Sequence, residues 1–462
     1  MRPGPLAALT VGLALVRLWL SARTGLGDDE AYYWHWSTAL DLSYREHPPL
    51  VAWVIAAGCR VAGENPLGVR LGFVLSGLWA SYLTWRVAET EQPGTGWLAS
   101  LLVSLVPMFA IMAVFAAPDM PMLCGWLLAW RGLQRDRWLW VGLGMGLALL
   151  GKLTGGLLVV GVLLAVVRRR PDQLRQWGLW AALGLALVMN LPSLWWALEH
   201  GGGTFTYQLV ERHRHRVLPW VGAGQLVGSQ LLLVGPAVVA MLAALRRPGM
   251  HRELALPTLV LFSLAALVTD SKIHWLAPSW LLLAPGAAAW LAPRPRWTAV
   301  SLGTAGLLTA LVYTQSQVSV VPLDPRADPT VEMRGWHDVA AHAVEMRDQC
   351  GIPDAPIAGH MYQTTGQLRW AVPRDIPVVR AGTRPDQYAT WQTAGPYVGG
   401  PAVFVAPERY RVSPLKEGFF DTCEATEEHR FNGRLFLVTC CKGLRADGLD
   451  GSPSRAVPAQ LK

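Results

Sequence analysis

Charged side chains are scarce in this 462-residue chain: 16% of residues are Asp, Glu, Lys or Arg, where a soluble protein carries about a quarter. The shortage is not uniform. Up to about residue 315 the chain is a series of apolar runs; beyond it, charge and Pro/Gly turns return to ordinary density. This pattern excludes a soluble cytoplasmic enzyme, a disordered regulator and a short disulfide scaffold. It predicts a polytopic α-helical membrane protein, residues 1–315, with a C-terminal soluble domain, residues 316–462.

A helix needs roughly 20 residues to cross a bilayer. The runs 4–20, 67–88, 97–115, 119–133, 137–150, 154–168, 176–197, 223–245, 254–269, 275–292 and 297–315 predict about eleven spans. The run 50–61 is apolar but only a dozen residues long, and it follows Pro48-Pro49. Proline suits a helix start, so 50–61 is read as a surface helix within an external loop, 21–66.

With that choice, Arg86, Arg131, Arg135, Arg137, Arg168, Arg169, Arg170, Arg175, Arg246, Arg247, Arg252, Arg294 and Arg296 fall on one side. The positive-inside rule makes that side cytoplasmic. The N-terminus is then inside and the tail outside, in a multi-pass protein of the inner (plasma) membrane. The net charge of +8 reads as topology, and no nucleic-acid partner is expected. No convincing small-residue cleavage site follows the first run, so it reads as an uncleaved anchor.

One external loop disobeys the charge rule: Glu211-Arg212-His213-Arg214-His215-Arg216. Such a cluster either grips lipid headgroups or binds a phosphate through arginine's fork of donors. The first external loop carries Gly27-Asp28-Asp29-Glu30-Ala31-Tyr32-Tyr33-Trp34-His35-Trp36, then Tyr44-Arg45-Glu46-His47-Pro48-Pro49. Asp28 reads as a helix cap. Capping does not account for three consecutive acids with a second Glu-His pair sixteen residues on. The aromatics read as an interfacial belt or as the lining of a sugar or lipid groove.

These residues resemble the opening loop of polyprenyl-phosphate-sugar-dependent glycosyltransferases of the GT-C fold. Within them the likeness is to bacterial members of glycosyltransferase family 39, related to protein O-mannosyltransferases and to the aminoarabinose transferase that modifies lipid A. Ala117-Pro118-Asp119-Met120-Pro121, Gly151-Lys152-Leu153-Thr154-Gly155, Ser271-Lys272-Ile273-His274-Trp275, Arg334-Gly335-Trp336 and Tyr362-Gln363-Thr364 continue the likeness in order. The resemblance implies an inverting sugar transfer to lipid A, another glycolipid, a polysaccharide or a protein. It implies Asp29 as catalytic base beside Glu30, and Asp119 as a second acid. A lysine of the aminoarabinose-transferase pattern is His47 here, and an arginine of the relatives is Tyr32. Donor-phosphate binding is therefore expected from Lys152, Arg212, Arg214, Arg216 and Lys272, with His47. Tyr32, Tyr33, Glu46, His213, His274 and Trp275 are expected to line the substrate groove.

The chemistry asks for this set. A carboxylate deprotonates the acceptor, and cations stabilise charge growing on the leaving phosphate. Glu46, His47, His213, His215 and His274 suggest zinc, but no two show an HExxH-like spacing on one helix. No required metal or other cofactor is expected. The alternative class is a lipid or glycan flippase, which would place its charges within the spans; here the acids lie in external loops.

The tail reads as a small α/β domain. A helix is expected over 336–347, strands at 356–359, 376–379, 401–406 and 434–439, and a loose end at 448–462. An external tail permits disulfides, and at least one is expected. Cys423–Cys440 spans a plausible strand-turn-strand segment, with Cys350 and Cys441 as alternative partners.

Overall fold

A computed structural model of the chain describes residues 3–209, 216–270, 272–325, 328–382, 386–391, 396–410, 413–424, 427–431 and 433–445. It divides into two compact units, Met1–Arg23 with Leu40–Thr314, and Thr24–Ala39 with Gln315–Lys462. One break between the units falls between Thr314 and Gln315. The stretch 24–39 differs from expectation, since it belongs to the tail unit and not to the helical one.

The first unit is helical. Asn65 accepts the Gly68 amide and Pro66 occupies the first turn, so helix Pro66–Glu91 starts sharply. Helix Asp119–Gln134 turns back into helix Trp138–Gly151 to form a hairpin. Its two arms approach closely because small residues meet: a Cβ on Gly125 would lie 2.5 Å from the Gly144 carbonyl oxygen. Helix Ala277–Leu291 is buried at every position but Trp290, so it forms the centre of the bundle.

By length and composition, Pro66–Glu91, Trp177–Glu199 and Pro295–Gln317 each suffice to cross a bilayer, and two bent pairs raise the count to at most five. Eleven full-length spans are therefore not seen among the described residues. The run 97–115 breaks at Pro107, which cannot donate a backbone hydrogen bond, into helices Gly96–Leu105 and Pro107–Met112. The run 223–245 bends by 108° between helices Pro219–Val234 and Ala237–Ala244, where Gly235 adopts φ +63° and Pro236 follows. The run 50–61 is a helix, Leu50–Ala62, of 13 residues.

The second unit is built on a mixed sheet of β1 (Ile357–Gly359), β2 (Val378–Arg380), β3 (Ala402–Pro407), β4 (Thr422–Cys423), β5 (Glu427–Phe431) and β6 (Arg434–Lys442). The order is β2-β1-β3-β6-β4, with β5 also on β6. β1 pairs in parallel with β2 and β3, and β3 is antiparallel to β6. The four expected strands and the helix, Trp336–Gln349, are present. Helix Tyr362–Ala371 and strands β4 and β5 had no clear apolar pattern to announce them.

Two disulfides cross this unit, Cys350–Cys440 and Cys423–Cys441. The pairing Cys423–Cys440 does not form, and the pleat explains why. Neighbours on a strand point to opposite faces. Cys440 joins the cluster of Trp336, Val339 and Ala343 on the helix-covered face, where Cys350 ends the helix, while Cys441 packs with Phe404 and Phe420 on the other. Cys423 stands directly opposite Cys441 in the β4–β6 register.

Candidate active site

In the first unit, Asp119 opens helix Asp119–Gln134 after Pro118, and Lys152 ends helix Trp138–Gly151. The hairpin therefore returns the lysine to the aspartate: Lys152 Nζ donates to Asp119 Oδ1 at 2.9 Å, with both side chains under a tenth exposed. His274 Nε2 stands 3.3 Å from Lys152 Nζ and 3.9 Å from Asp119 Oδ1. His47 lies within electrostatic range of Asp119. The His274 strap is held from behind, where Gln230 donates to the Ile273 carbonyl at 3.0 Å and accepts from Trp280 Nε1 at 2.8 Å. The Glu46-His47 turn is pinned too. Gln208 donates to the Glu46 carbonyl, Thr204 donates to that of Tyr44 at 3.0 Å, and the Tyr44 amide reaches the His47 carbonyl at 3.1 Å. Sequence-distant polar groups thus form a preorganised acid–cation cluster, which suits electrostatic stabilisation of an anionic leaving group.

Other expected donor-binding residues lie apart from this cluster or outside the description. Lys272 is half exposed and pairs with Asp270 at 3.1 Å. Arg216 is exposed, its backbone bridging to Thr269. Arg212, His213 and Arg214 lie outside the described residues. Trp275 is buried against Phe262, ring centroids 4.9 Å apart, so it packs and does not line an open groove.

In the second unit, helix Asp28–Thr38 carries the acidic triplet in its first turn. Capping falls to Glu30, which accepts the Gly27 amide at 2.8 Å, and not to Asp28 as the sequence suggests. Asp28 is buried and accepts from Arg409 at 2.8 Å and Gln367 at 3.1 Å. Arg409 also donates to Glu332 at 3.0 Å. Burial first, then the Glu332 charge, pushes the Asp28 carboxyl up to about 7, against the pull of Arg434 and Arg409. Asp29, one residue on, is half-buried and accepts from the Tyr362 hydroxyl at 3.3 Å. It retains the access that a proton acceptor requires.

Tyr32 and Tyr33 are buried. The Tyr32 hydroxyl accepts the Gln387 amide at 2.8 Å, and its ring packs 4.6 Å from Tyr362 and 5.3 Å from Tyr388. Tyr32 fixes helix Asp28–Thr38 instead of lining a groove. Gly366 permits the fit, since a Cβ there would lie 2.9 Å from the Tyr32 amide nitrogen. The Arg409–Asp28 contact joins residues 381 apart, and no sequence signal announced it.

For metals, the one His/Cys/Asp/Glu group of metal-binding geometry among the described residues is Cys350, Glu424 and Cys440. Its two sulfurs are joined in a disulfide.

The fold resembles that of ArnT. Two crystal structures of ArnT from Cupriavidus metallidurans, one apo and one bound to undecaprenyl phosphate, superpose with TM-score 0.64 at 16% identity, covering 95% and 94% of this chain and 98% of theirs. The family model of dolichyl-phosphate-mannose-protein mannosyltransferases matches residues 46–196, a stretch that includes His47, Asp119 and Lys152. The lipid A galacturonosyltransferase RgtD of Rhizobium johnstonii is 31% identical over 274 residues, 54% of this chain. The chain spans 56% of that relative's length in the match.

Proposed function

We propose that the chain is a multi-pass inner-membrane glycosyltransferase that moves a sugar from a polyprenyl-phosphate carrier to a lipid A-type acceptor. The observation that carries this reading is the buried Asp119–Lys152 pair with His274 beside it, in a chain whose fold matches a protein crystallised with undecaprenyl phosphate. The likeness to a lipid A galacturonosyltransferase supports the acceptor.

In the proposed reaction an acceptor oxygen attacks the anomeric carbon. The bond from that carbon to the phosphate oxygen breaks, and the electron pair leaves with polyprenyl phosphate. Asp29 takes the acceptor proton. Lys152, oriented by Asp119 and assisted by His47 and His274, stabilises the phosphate charge. Arg212, Arg214 and Arg216 are proposed as further phosphate contacts. No metal is required in this scheme. The N-terminus is placed in the cytoplasm and the tail outside it, from the sorting of arginines.

The test is transfer by the purified protein of radiolabelled sugar from a polyprenyl-phosphate carrier to lipid A, across a panel of hexose, uronic acid and amino-sugar donors. Label in lipid A from one donor is expected. A folded protein that hydrolyses or transfers none of them would sink the reading; transfer only to a protein acceptor would keep the enzyme and overturn the acceptor.

A further inference from the structure

The hairpin of Asp119–Gln134 and Trp138–Gly151 has a second polar end. Helix Asp119–Gln134 has 16 residues, so at 1.5 Å per residue its far end lies about 24 Å from Asp119. There a cavity of about 540 Å³ is lined by Arg86, Arg131, Arg135 and Arg137, with Trp79, Tyr82 and Trp140 among its walls.

Four guanidinium groups around one cavity repel one another, and no carboxylate is among the described residues that line it. The nearby carboxylates are engaged elsewhere. Glu89 accepts the Gly94 and Gly96 amides, Glu91 accepts from Gln134, and Asp136 pairs with Arg170. Arg131 is buried, 5% exposed. Its partners are neutral: Thr90 Oγ1 at 2.7 Å, Gln134 Oε1 at 3.1 Å and the Arg86 carbonyl at 3.3 Å. A buried cation with only neutral acceptors is costly unless an anion completes the site.

The surroundings identify the kind of anion. Leu75, Trp79 and Tyr82 are all exposed, and with Arg86 they recur at the spacing of one face of helix Pro66–Glu91. An apolar and aromatic stripe thus leads directly to the arginines. We propose that this cavity binds the phosphate headgroup of an anionic membrane lipid, its acyl chains lying along the Leu75–Trp79–Tyr82 stripe. The site is separate from the Asp119–Lys152 end of the same hairpin, so its occupant is a structural or regulatory lipid and not the sugar donor. Basic pockets between membrane helices hold anionic headgroups in this way.

Native mass spectrometry of the full chain in detergent tests the proposal with phosphatidylglycerol, with phosphatidylcholine of the same acyl chains, and with glycerol phosphate. Retention of phosphatidylglycerol over phosphatidylcholine is expected, with little binding of glycerol phosphate. Arg86→Gln with Arg135→Gln should weaken retention about thirtyfold, whereas Arg294→Gln with Arg296→Gln should leave it unchanged. A thermal melt on each variant checks folding. Equal retention of both lipids, or undiminished retention in the folded Arg86/Arg135 variant, would overturn the site. Glycerol phosphate binding as tightly as the lipid would make it a soluble-phosphate site and overturn the lipid assignment.

Discussion

Lys152 and Asp119, 33 residues apart, meet at 2.9 Å with both side chains nearly excluded from solvent. A contact of this kind fixes the two ends of a helical hairpin against each other. It also keeps a cation and an acid oriented where loose side chains would need to be ordered by substrate.

Removing either partner leaves a buried charge without its counter-ion. Asp119→Asn or Lys152→Met alone should cost about 3–5 kcal/mol, while the double variant should cost less than either single change. Thermal unfolding of the full chain in detergent measures this. Additive losses would show that the two side chains do not depend on each other.

The proposed base separates from its neighbour by function. Asp29→Asn should lower turnover by about 10²–10⁴-fold with the melting temperature little changed, because Asp29 is half-buried and asparagine keeps an oxygen that can accept from the Tyr362 hydroxyl. Asp28→Asn should instead retain most activity, since asparagine keeps an oxygen to accept from Arg409. Rates and melts on both variants decide the matter; full activity in a folded Asp29→Asn protein removes the base assignment.

Three groups of the second unit titrate in opposite senses. Asp28 is raised from 3.8 to about 7 by burial and then Glu332, so the stability it contributes is present below about 4 and is lost as pH rises through 7. Burial lowers His35 and His360 from 6.5 to about 4, with help from Arg369 and Arg374 at His35 and Arg380 at His360. Their contribution is present above 6.5 and is lost as pH falls towards 4. Between pH 4 and 6.5 the two histidines outweigh Asp28, so stability should rise with pH by about 1.4 kcal/mol per unit. Asp28→Asn should roughly double that slope. Unfolding curves at closely spaced pH values check it, and an unchanged slope would refute the Asp28 shift.

Thiol counting gives a third kind of test. Under denaturing, non-reducing conditions two thiols should react, those of Cys59 and Cys124. Replacing Cys350 and Cys440, which lie 90 residues apart, should destabilise by about 4–5 kcal/mol; loss of the Cys423–Cys441 bridge, with a separation of 18, should cost about 3 kcal/mol. Six reactive thiols would exclude both bridges.

Composition and pattern alone determined the helical character of the first part and four of the six strands, and the motifs that carry Asp119, Lys152, His47 and His274 were legible as a resemblance. Those properties are local: apolar runs mark helices and buried strands, and polar motifs stand out against an apolar background. The tertiary structure decided the rest. It assigned residues 24–39 to the tail unit through helix packing against Gly366. It made Glu30 the cap, paired Asp28 with Arg409, and gave Cys423 to Cys441 through the alternation of one strand. It also broke two apolar runs at Pro107 and at Gly235-Pro236. Each of these depends on which distant groups become neighbours, or on how a single residue turns the backbone, and neither is encoded in the spacing of residues along the chain.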